Sequence, residues 1–193
     1  MNPIDDYFPE LLKTMERLDP AAIQQTLLQA ANEHSLDPRP LLLIAAQYAQ
    51  AGQMDAAEAS YIAALQRSPG FAIARFQLGL LQFSSGRPAA AFATWAPLNA
   101  LEENHPLRLF KTGLEFLAED KFQEAEHWLR RGTECNKENA PLNHDMQLFL
   151  TEIGRLQTQE PMRSQATPSK SDAAENVASD DKHFLVSAYR NLH

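Results

Sequence analysis

A spacing of 34 residues recurs through the middle of this chain and constrains its fold more than any other feature. Ala57, Ala91 and Ala125 stand 34 residues apart, and the same step joins Ala45, Gly79 and Gly113, all small. It joins Tyr61, Trp95 and Leu129, all large and apolar, and also Gly52, Gly86 and Asp120, each suited to a turn. No gap is needed to align them. Columns that keep their physical character at one period define a repeat whose single copy cannot bury its own apolar face and must stack on its neighbours. In each copy, Ala45, Gly79 or Gly113 is expected to allow a close approach, where Ala57, Ala91 or Ala125 meets it. Tyr61, Trp95 and Leu129 are expected to fill the space between adjacent repeats.

These columns resemble the tetratricopeptide repeat (TPR) family. Residues 38–71 carry Tyr48, Gly52, Ala57, Tyr61, Ala64, Leu65 and Pro69 at the family's signature positions. Residues 72–105 keep Leu78, Gly79, Gly86, Ala91 and Trp95, with Glu103 where a closing proline belongs. Residues 106–139 keep Gly113, Phe116, Phe122 and Ala125, with Gly132 in place of alanine and Lys137 in place of proline. The resemblance covers about half of the 193 residues. It implies an all-α fold: an α-solenoid of three helix–turn–helix repeats with an N-terminal helical cap, a C-terminal capping helix and a disordered tail.

The flanks follow from local signals. Residues 1–37 read as two helices that form either an N-terminal cap or a degenerate repeat. One opens at Pro9; the other is capped by Asp19 with Pro20 in its first turn, and sets Ile23, Leu27, Ala30 and Ala31 on one face. A capping helix is expected over 140–156, with Leu142, Met146, Phe149, Leu150 and Ile153 at helical spacing. Together with the repeats it makes a domain over 38–156. Residues 157–182 are polar and proline-containing, a composition that cannot offset ordering entropy, and they read as a disordered linker. Apolar character returns in 183–193, as a docking segment or as a frayed end. A flexible linker of that length reaches on the order of 28 Å, so residues 184–192 could dock on the chain's own repeats.

The resemblance also implies a binding surface. In TPR stacks the first helix of each repeat lines a concave groove. Its groove positions map onto Arg39, Leu42, Ala46 and Ala49, then Ile73, Phe76, Leu80 and Phe83, then Leu107, Phe110, Leu114 and Leu117. Almost all are apolar, so the expected ligand is a helix or extended peptide with apolar anchors. The family's carboxylate clamp is not matched, because Lys111 is the only convergent cation and Leu42 and Ala46 stand at clamp positions.

Composition narrows the function classes. A net charge of −8 with no basic face argues against nucleic acid. The 7 glycines form neither a GxGxxG nor a GxxxxGK motif, and four of them belong to the repeat signature. One cysteine, Cys135, excludes an intrachain disulfide, and the 6 histidines show no metal-ligand spacing. No cofactor, metal site or catalytic set is expected. The acidic start and the short run Leu41–Ala46 give neither a secretory signal nor a membrane span, so a cytoplasmic location is expected. The chain reads as a non-enzymatic protein-binding adaptor or scaffold of undefined oligomeric state. Two alternatives are a chaperone similar to the class II type III secretion chaperones and a regulatory subunit of an enzyme.

Overall fold

The structure is a computed structural model that describes residues 7–163. The terminal segment 183–193 and the linker beyond residue 163 lie outside the described residues. The chain divides into two compact units, Met1–Ala74 and Arg75–His193.

The first unit holds α1 (Phe8–Met15), α2 (Pro20–Glu33), α3 (Arg39–Gln50) and α4 (Met54–Arg67). Asp19 caps α2 from an extended backbone, its Oδ1 accepting the amides of Ala21 and Ala22 at 3.0 Å. Pro20 then stands where a missing N–H costs nothing. The apolar stripe of α2 meets α3 in a core of Leu27, Ala31 and Ile44, with Leu11, Met15, Ile23, Leu41, Leu43 and Tyr48 partly buried around it. Ala45 and Ala57 are fully buried where α3 and α4 pair.

The second unit takes most of α5 (Ala72–Ser84), followed by α6 (Pro88–Trp95), a 3-10 helix (Ala96–Ala100), α7 (Pro106–Ala118), α8 (Phe122–Cys135) and α9 (Ala140–Arg163). Each 34-residue copy therefore contains one helix–turn–helix. In the middle copy the second helix stops early. Pro97 has no N–H to donate and its ring crowds the carbonyl of Ala93, so the chain tightens into the 3-10 helix, which still buries Leu98.

The three turn positions share one backbone solution. Gly52, Gly86 and Asp120 have φ of 72°, 74° and 57°. After each first helix the amides of Gln53, Arg87 and Lys121 reach back to the carbonyls of Tyr48, Gln82 and Phe116, at 2.8, 2.9 and 3.0 Å. The turn residue itself donates to Ala49, Phe83 or Leu117. This pair of bonds is a Schellman motif, and it needs a left-handed residue.

The large column packs onto the small one. A Cβ added to Gly79 would lie 2.1 Å from Nε1 of Trp95, and one added to Gly113 would lie 2.8 Å from Leu129. Trp95 and Leu129 thus lie on the glycine of their own repeat. The reason is size: a ring laid over a bare Cα closes the helix pair and buries itself at once. The indole Nε1 of Trp95 donates to the Phe76 carbonyl at 2.9 Å, so this buried polar atom is satisfied.

The third copy ends without proline. Asn136, buried, donates to Asn139 O and Asn143 Oδ1 at 2.8 Å each, and Asn143 returns a bond to Asn136 O at 2.9 Å. Asn139 Oδ1 accepts the amide of Leu142 and so caps α9. Leu142, Met146, Phe149, Leu150 and Ile153 form the buried side of α9, which continues past Leu156 to Arg163.

Substitutions should report these constraints in chemical denaturation followed by circular dichroism. Asp120→Gly should stabilise by about 0.5–1 kcal/mol, because it removes a side chain from the left-handed region. Gly79→Ala should destabilise by about 1–3 kcal/mol, because the indole has nowhere to move. Gly154→Ala meets nothing within 4 Å in α9 and should stabilise by about 0.5–1 kcal/mol.

Candidate functional site

The first helix of each repeat carries the expected binding residues, and the two units treat them differently. In the first unit Leu42, Ala46 and Ala49 share one stripe of α3, and all three are half-buried, as is Ile73. The same unit contains Leu12, Leu28, Leu36 and Ile62, the large apolar side chains that stand exposed among the described residues. Leu36 is 88% exposed at the loop before α3.

In the second unit the expectation of an open apolar face is corrected. Phe76, Phe83, Leu107, Phe110, Leu114 and Leu117 are buried, and of that set only Leu80 stays half-buried. Their own rings explain it. Phe76 stacks on Trp95 at 5.8 Å and meets Phe110 at 6.1 Å. Phe83 lies between Trp95, at 5.8 Å, and Phe149 of α9, at 6.4 Å. Phe110 also covers Gly132, where an added Cβ would fall 2.4 Å from the ring, so alanine is absent there for steric reasons. Lys111 is buried as well, and its ammonium pairs with Glu115 at 2.6 Å one turn along α7. It is not an open clamp cation.

Arg39 was expected to face the groove and instead closes a polar knot at the start of α3. Its guanidinium grips Asp37, with Nε 3.0–3.1 Å from both carboxylate oxygens and Nη2 2.7 Å from Oδ2. It also lies 4.4 Å from the centre of the Phe8 ring. Tyr7 donates its hydroxyl to Asp37 Oδ2 at 3.0 Å and stacks on His34 at 3.5 Å. Arg67, from the end of α4, donates to the Asp37 carbonyl at 3.0 Å. Burial alone would raise the Asp37 carboxyl, but the hydrogen bonds from the Arg39 side chain and amide and from Tyr7 outweigh it and hold the group below 3.8. Only the short Asp37-Pro38-Arg39 run hints at this knot in the sequence, since Tyr7 and Arg67 are each 30 residues from Asp37.

Among the described residues no three His, Cys, Asp or Glu side chains converge as metal ligands, and no helix is long and apolar enough to cross a membrane. Cys135 is exposed at the end of α8.

Helix pairs at a 34-residue period, left-handed turns at three equivalent places and small-on-large interlocks define an all-α, TPR-like α-solenoid protein. Two solved structures share this fold. One is MamA, residue 41 to the end, from Desulfovibrio magneticus RS-1, with a TM-score of 0.53 and 15% identity over 83% of this chain and 96% of that one. The other is the MamA RS-1 ArsTM double mutant, with a TM-score of 0.54 and 12% identity over 96% of this chain and 94% of that one. No protein-family model matches the chain, and no curated protein matches it either.

The Asp37 knot has a pH signature. A carboxyl held below its ordinary value stabilises the fold fully above that value, and the contribution is lost as pH falls through the lowered one. Asp37→Asn should therefore be less stable than the parent near neutral pH. The gap should close on acidification below about pH 4, when both chains are titrated with urea at several pH values.

Proposed function

We propose that this chain is a non-enzymatic protein-interaction module, an adaptor or scaffold of a larger complex. Its ligand is a peptide or helix with apolar anchors, received on the stripe of α3 that carries Leu42, Ala46 and Ala49. The observation that carries this reading is the partial exposure of that stripe in a unit that also leaves Leu12, Leu28 and Ile62 open to solvent. An apolar stripe left partly open to solvent is a feature of interaction sites.

The second unit supplies an analogue of the ligand. There the groove position Phe83 is covered by Phe149, which projects from the amphipathic helix α9. Leu42, Ala46 and Ala49 come from the corresponding helix of the first copy, and an amphipathic helix from a partner would meet them in the same way. Residues 184–192 of the chain itself are one candidate ligand. Burying two or three anchors at about 1.5–3 kcal/mol each gives useful affinity before ordering costs.

The test is affinity capture on the full chain with quantitative mass spectrometry, repeated with Leu42→Glu and Ala46→Glu. Both variants should keep their helical content by circular dichroism and lose a specific partner by about tenfold or more, as expected when a charge is forced into an apolar contact. If both fold and retain every partner, the α3 stripe is not the binding surface.

A further inference from the structure

The second unit has a cleft on the side of α7 away from its buried stripe. Thr112, Glu115, Phe116 and Glu119 follow one another at helical spacing, while Leu107, Phe110, Leu114 and Leu117 face the core. With Phe92 of α6 they line a cleft of about 290 Å³. Two aromatic rings and two carboxylates therefore converge on one opening, which is the chemistry of a cation receptor rather than of an apolar groove.

The chain already places cations at its edges. Lys121 holds its ammonium 5.5 Å from the centre of the Phe116 ring and 2.6 Å from Glu119 Oε2. On the other side Lys111 bonds Glu115 Oε2 at 2.6 Å. Each carboxylate uses Oε2 for its lysine, and among the described residues no hydrogen bond engages Oε1 of either. The Thr112 hydroxyl is committed to the Arg108 carbonyl at 2.9 Å, so it does not compete for a guest. The two remaining acceptors and the two rings suit a flat, forked cation.

We propose that this cleft receives the side chain of an arginine presented by a partner protein, with the guanidinium against Phe92 and Phe116 and its N–H groups directed to Glu115 and Glu119. Arginine fits better than lysine because its planar head stacks on a ring and donates to two carboxylates at once. The net charge of −8 draws a basic segment toward the chain. The proposal rests on the reading of the chain as a protein-interaction module but uses a different surface from the α3 stripe.

The probe is acetyl-Gly-Arg-Gly-amide, titrated into the full chain and followed by proton–nitrogen NMR. The control is the same tripeptide with citrulline, which keeps the shape and removes the charge. Saturable shifts at Phe92 and across 112–119 are expected with arginine and not with citrulline. Glu119→Gln, at an exposed position that leaves the Lys111–Glu115 pair intact, should weaken binding about fivefold, and Leu42→Glu should leave it unchanged. The proposal is overturned by an absence of saturable shifts, by an equal response to citrulline, or by unchanged affinity in Glu119→Gln. It is also overturned if the same amides shift with protein concentration alone, which would make a second copy the occupant.

Discussion

The seating of a large side chain on a glycine Cα organises the second unit. Trp95 lies on Gly79, and from that one contact follow the spacing of α5 and α6, the hydrogen bond from its indole to Phe76 O, and the ring cluster with Phe76, Phe83 and Phe92. The third copy keeps the principle and redistributes the volume. Leu129, smaller than tryptophan, lies on Gly113, while the Phe110 ring takes the space over Gly132. The residue at 132 departs from alanine because its neighbour is larger, not because the repeat has decayed. Interiors packed to crystal density allow such exchanges only in pairs.

Much of this was legible because it is local and periodic. The small, turn and large columns identify helix pairs without reference to anything distant, and all three turn residues adopt the left-handed backbone that their place requires. Asp19 and Pro20 mark the start of α2 for the same reason, since a cap acts within a turn. The size and periodicity of Trp95 are read from the sequence, and the structure adds that its ring lies on the bare Cα of Gly79.

The candidate site was less legible because exposure depends on what covers a residue. Leu42 and Phe76 occupy equivalent positions in successive copies, yet one is half-buried and the other fully buried. Arg39 likewise stands at a position expected to face a groove, and it is paired with Asp37. Tyr7, distant in the chain, adds its hydroxyl to the same carboxylate, while Arg67 holds the Asp37 backbone carbonyl.

An apolar residue is driven out of water by the same free energy whether the surface that covers it belongs to the same chain or to a partner. The repeat therefore does not specify a groove; it specifies a stripe that must be covered. In the second unit the cover is its own aromatic cluster together with α9, whose Phe149 reaches Phe83. In the first unit the corresponding stripe is built from Leu42, Ala46 and Ala49, without an aromatic ring, and it stays partly open. Phenylalanine at these positions lets the second unit close over its own stripe. The backbone remains that of the repeat, and the two units differ in how far the stripe on it is covered.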